Sequence, residues 1–210
     1  MPRQAGSCSS CQTLGALETA VGAEFLDQVE ANNKAVLYKC RLSQQLTYEL
    51  APALVNLLQS PDRAVIFRSL AALHTIGPAA SQAIAGIRLL LEHPDSEVQK
   101  AAIFTLSHVG LDVPEQVMPL LLEKIENTVH VEALLFAFIH IGHKASAGLP
   151  LVSSAMKSSA GHTRRLALRC LEAIGTAETA AAPLLLAAQS DRNAEVRAMA
   201  FKIAKRYAGA

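Results

Sequence analysis

Four glycines close four segments of matching character: Leu73-His-Thr-Ile-Gly77, Leu106-Ser-His-Val-Gly110, Phe138-Ile-His-Ile-Gly142 and Leu171-Glu-Ala-Ile-Gly175. They stand 33, 32 and 33 residues apart. A period of this size constrains the chain to a repeat architecture, because one such unit cannot bury its apolar face alone and must stack on its neighbours. Stepping 34 residues beyond the last glycine reaches Gly209, and stepping back 33 from the first reaches Gln44. Five units therefore tile about residues 45–209.

Within each unit the apolar residues follow helical spacing. Val98, Ala102, Ile103, Leu106 and Val109 lie on one helix face before Gly110. Val65, Ser69, Leu70, Leu73 and Ile76 hold the same places before Gly77, and Thr163, Ala167, Leu168, Leu171 and Ile174 before Gly175. A small residue (Ser69, Ala102, Ala167, Ala200) recurs where two helices approach most closely. Glycine then closes this second helix in the left-handed conformation expected of a residue just past a helix end. The first helix of each unit is shorter and Leu/Ala-rich, as in Ala53–Leu58, Ile84–Leu91, Gln116–Ile125, Leu149–Met156 and Pro183–Ala188. Pro52, Pro119, Pro150 and Pro183 recur at its start or inside it, where proline opens or kinks a helix. Ser60-Pro-Asp62, His93-Pro-Asp-Ser96, Glu126-Asn127 and Ser190-Asp-Arg-Asn193 read as turns whose Asp or Ser caps the second helix. No strand-like alternation appears.

Tetratricopeptide units would carry Trp and a Leu-Gly…Tyr pattern, and ankyrin units Thr-Pro-Leu-His; both are missing. Pro94-Asp-Ser-Glu-Val98-Gln-Lys-Ala-Ala102 and Asp191-Arg-Asn-Ala-Glu-Val196-Arg-Ala-Met-Ala200 instead match Pro-Asp-x-x-Val-Arg-x-x-Ala. In this the chain resembles short HEAT-like repeats, of the kind found in bilin-lyase subunits and bacterial scaffolds. Pro61-Asp-Arg-Ala-Val65 and His162-Thr-Arg-Arg-Leu-Ala167 match in part; Asn127-Thr-Val-His-Val131 departs most. The resemblance covers about residues 45–209 and implies an all-α, right-handed α-solenoid of about five helix pairs, its second helices lining a concave face.

Residues 1–12 read as a flexible tail, and 13–44 as two capping helices covering the first apolar surface, with 45–210 as the solenoid proper, continuous with the cap. The 210 residues are 51% hydrophobic but only 4% aromatic, and 19 basic residues nearly balance 18 acidic ones. The longest uninterrupted apolar runs, Ala180–Ala188 and Ala133–Ile139, fall well short of the roughly 18 residues of a spanning helix, so no membrane partner is expected. The first residues hold no apolar signal region, which points to the cytoplasm. Cys40 and Cys170 fit helical apolar patterns, and Cys8 and Cys11 form a lone C-x-x-C in the tail without a second pair.

No His-Glu dipeptide occurs among the seven histidines, no phosphate loop and no G-x-S-x-G, so neither a metal nor a cofactor nor a catalytic residue is assigned. His74, His108 and His140 fall in the last turn of a second helix, where a cation or donor meets the helix's partial negative charge. The chain is expected to be a non-catalytic scaffold or adaptor for a protein partner. Counting ten, six and three residues back from each glycine gives the outward positions of the second helices. These include Phe67 and His74, Lys100 and Phe104, Phe136 and Ile139, and Arg165 and Arg169; alignment of the fifth unit adds Lys202 and Lys205. A row of aromatic residues thus passes into a basic one. The helix bearing Phe136 is apolar nearly all round, so exposure or burial of Phe104 and Phe136 stays open. Residues 161–210 carry net +4 against −3 for residues 1–160, which leaves nucleic acid as the alternative partner. An accessory role beside an enzyme, as in bilin lyases, is the other alternative; the missing tryptophan argues against HEAT-like DNA glycosylases.

Overall fold

The computed structural model describes residues 44–125, 128–175 and 181–208. The expected tail and, apart from Gln44, the capping pair lie outside the described residues, as do Cys8, Cys11 and Cys40. Every regular element among the described residues is helical. The chain divides into two compact units after Thr105.

The first unit contains α1 (Gln44–Leu57), α2 (Arg63–Ile76), α3 (Ile84–Leu89) and the start of α4 (Ser96–Val109). The second contains the end of α4, then α5 (Pro114–Leu122), α6 (Val131–Ile141), α7 (Leu149–Ala155), α8 (Gly161–Ile174), α9 (Ala181–Ala188) and α10 (Ala194–Ala208). The even-numbered helices are the second helices of the repeat. Their spacing-derived face is the core: Val98, Ala102, Ile103, Leu106 and Val109 are all at most 1% exposed. The small residues Ser69, Ala102, Ala167 and Ala200 are all fully buried, and the Ser69 hydroxyl is satisfied by donating to the Val65 carbonyl at 2.8 Å. The third repeat carries Leu134 at this position, equally buried.

The first part of a repeat is more than one helix. After Gly77 and Gly142 the chain winds through 3-10 segments, Gly77–Ala83 and Gly142–Gly148, before α3 and α7 begin. Helical periodicity does not register these segments, because their spacing is three residues per turn. The stretch Val131–Ala155 is long and apolar enough to cross a membrane by length and composition. Half of its apolar window is buried inside the fold, and Gly142 breaks its course between α6 and α7.

The four period-defining glycines serve two different needs. Each donates its amide to the carbonyl four residues back: Leu73, Leu106, Phe138 and Leu171. Gly77, Gly142 and Gly175 have φ of 71°, 72° and 101°. Their ψ values near −140° or +145° lie beyond the ordinary left-handed helix region, in territory that side chains avoid. Gly110 does not share the positive φ expected of it. It is required by space: a Cβ there would stand 2.1 Å from the Val117 Cγ2. We expect Gly142→Ala and Gly110→Ala each to lower stability, by about 1–3 kcal/mol, from backbone strain and overpacking respectively. A Val117→Ala change should be less than additive with Gly110→Ala and fully additive with Gly142→Ala. Urea denaturation of the double-mutant cycles checks this.

Candidate functional site

The second helices of the second unit are tied to one another by polar contacts that cross from repeat to repeat. On α6, Glu132 accepts from Thr163 at 2.9 Å and meets His162 Nε2 at 2.5 Å, both at the start of α8. One repeat on, Arg165 pairs with Glu195 of α10, and Glu172 accepts from Arg206 while its backbone carbonyl accepts the Tyr207 hydroxyl. The buried member of the set is Arg164, 4% exposed. Its guanidinium meets both Asp191 oxygens at 2.7 and 2.8 Å, and donates to the Ser158 and Ser159 carbonyls. This fork holds the Asp191 carboxyl below its ordinary range, and Asp191 raises the guanidinium in return. Asp191 also accepts from the Asn193 amide, bracing the turn that leads into α10. In the first unit Asp95 does the same double duty: it accepts from the Glu97 amide at the start of α4 and pairs with Arg63 at 2.9 Å.

These pairings sort the expected partner-binding residues. In the first unit Phe67 is half-buried under the Arg63 guanidinium, 5.1 Å from its ring centre, and Phe104 and His74 are also half-buried. Lys100 is engaged by Glu97 on its own helix at 2.8 Å. In the second unit Phe136 is 42% exposed, despite the apolar character of α6 all round. Ile139 is half-buried, and Arg165, Arg169, Lys202 and Lys205 are exposed. Arg165 is taken up by Glu195, whereas Arg169, Lys202 and Lys205 have no carboxylate partner among the described residues. Phe136, Arg169 and Lys202 occupy equivalent positions on α6, α8 and α10, which pack in that order. Among the described residues these form an exposed row: an aromatic ring followed by two cations on successive helices, with Lys205 one turn further along α10.

Two of the repeat histidines meet each other. His108 and His140 hold the same register, two residues before their glycines, and their rings stack 3.7 Å apart at 19°. Desolvation lowers the His140 pKa below its ordinary value, which favours the neutral ring. The signal was present as two histidines one period apart, at equal distance from a glycine. Cys170 is fully buried and its thiol is pushed up to about 12 by that burial. Among the described residues, no three of His, Cys, Asp and Glu form a group able to hold a metal ion. An apolar recess of about 550 Å³ lies beside α9 and α10, lined by Leu185, Leu186, Ala204 and Tyr207 among others.

No protein-family model and no curated protein sequence matches the chain. Solved structures do match in fold. A designed armadillo repeat protein in complex with the peptide (KR)4 superposes with a TM-score of 0.61 at 16% identity, covering 87% of this chain and 97% of that one. An engineered protein reaches 0.58 at 18% identity, covering 84% and 88%. Computationally designed armadillo repeat proteins for modular peptide recognition reach 0.56 at 17% identity, covering 87% and 98%. The fold is therefore that of an α-helical repeat protein, an α-solenoid of armadillo-like type.

Two measurements test the site's electrostatics. His140, with its folded pKa below the unfolded value of 6.5, contributes stability that is full above pH 6.5 and is lost as pH falls toward the folded value. We expect chemical-denaturation stability to fall between pH 7.5 and 5.5, and His140→Phe to flatten that slope. Replacing the buried Arg164 by Met should lower Tm more than replacing exposed Arg165 by Met, for which a shift under about 3 °C is expected in thermal melts.

Proposed function

We propose that the protein is a non-catalytic, cytoplasmic scaffold of HEAT-like type that holds a partner protein along its second helices. The observation that carries this reading is the exposure of Phe136, Arg169 and Lys202 at equivalent positions of three successive helices. Exposed aromatic residues beside unengaged cations have the composition of interface centres, where Phe and Arg are enriched. The peptide complex and the peptide-recognition design among the structural neighbours support the same reading by analogy of fold.

Nucleic acid fits less well. Of the seven cations proposed to meet phosphates, Arg164, Arg165, Arg169, Arg197, Lys202, Lys205 and Arg206, three, Arg164, Arg165 and Arg206, are engaged by carboxylates. Arg197 donates to the Asp191 and Arg192 carbonyls. The remaining three give a small electrostatic footprint.

The test is selection of randomised twelve-residue peptides displayed on phage against the purified chain. The expected result is an enriched pool whose retention drops about tenfold or more on Phe136→Asp, with circular dichroism showing an unchanged fold. Equal retention on the variant, or no enriched pool at all, would sink the proposal.

A further inference from the structure

The charge along the row names the chemistry of its partner. Carboxylates lie close by, but each is already engaged: Glu132 by His162 and Thr163, Glu195 by Arg165, Glu172 by Arg206. What remains outward is positive at Arg169, Lys202 and Lys205, with Phe136 at one end. The designed neighbour holds a peptide of alternating Lys and Arg. The row here carries the opposite demand, since a basic peptide would meet like charge at two successive helices.

Spacing sharpens the demand. Helices in direct contact lie about 8–10 Å apart, so consecutive positions of the row recur at about that interval. An extended polyproline-like segment rises 3.1 Å per residue with three residues per turn, and so presents every third side chain on one face about 9 Å apart. Side chains three apart in such a segment meet successive helices of the row. A β-strand alternates its faces every second residue and does not keep that step.

We infer that the row binds an extended acidic segment of a partner protein. The segment places a bulky apolar side chain against Phe136, a carboxylate three residues on at Arg169, and a second carboxylate three further on at Lys202 and Lys205. The inference rests on the scaffold reading above and adds the identity of the segment.

The peptide pool provides the test. Its enriched sequences should carry a bulky apolar residue and two Asp or Glu at steps of three, in either chain direction. A fluorescein-labelled member should bind with affinity that falls with added salt, and about tenfold or more weaker to Arg169→Glu/Lys202→Glu than to the wild-type chain. Restoring charge complementarity, by exchanging the two acids of the peptide for Lys, should recover binding to that double variant. A pool of basic or neutral peptides that responds to Phe136→Asp but not to Arg169→Glu/Lys202→Glu overturns the inference while leaving the scaffold reading intact. Binding of a labelled random single-stranded DNA, sensitive to the same double variant, with no acidic peptide enriched, overturns both.

Discussion

The close stacking of one second helix on the next is the constraint from which the other features follow. At one fully buried position of these helices a small side chain stands in four repeats, Ser69, Ala102, Ala167 and Ala200, and Leu134 fills it in the third. The stacking also requires an abrupt end to each helix so that the chain can return for the next layer. Glycine meets that need in two ways, by conformation at Gly77, Gly142 and Gly175 and by lack of volume at Gly110. Close packing without voids leaves little freedom in how far one helix stands from its neighbour. The surface row on α6, α8 and α10 inherits its spacing from that core.

Polar contacts then select the register in which the helices stack. The exposed pairs, such as Arg165 with Glu195, contribute little to stability because water and salt screen them. Arg164 and Asp191 differ: both are nearly covered, the guanidinium makes four hydrogen bonds, and neither side chain can shift without leaving a charge without its partner. Asp95 thus starts its own helix while pairing with Arg63 of the preceding repeat, and Asp191 braces its turn while anchoring Arg164, with Asn193 capping α10. This gives the Pro-Asp and Ser-Asp turns a reason beyond capping.

Much of this was legible in the sequence. The period, the all-helical class and the buried face of the second helices followed from glycine spacing and helical periodicity, since these reflect burial directly. Three features were not legible. The 3-10 segments after Gly77 and Gly142 have no 3.6-residue pattern to detect. The outward face of α6 was undecidable, because nearly every position is apolar and periodicity needs contrast; only the packing shows that Phe136 is left outside. The engagement of basic residues was hidden because their partners lie 27–34 residues away. A count of charges therefore overstated the free positive surface. The aromatic series was overstated for a local reason, since Arg63, four residues before Phe67 on α2, covers its ring.

Cys170 has a consequence of another kind. Its sulfur lies at the centre of α8, wholly enclosed, and its thiol holds its proton far above neutrality. A thiol in that state is a poor nucleophile, so alkylating or oxidising reagents reach it only when α8 parts from its neighbours. The chain thereby carries a built-in reporter of local opening in the helix that supplies both Arg164 and Arg169. The rate at which that one sulfur becomes reactive measures how often this layer of the stack comes apart while the rest of the molecule stays folded.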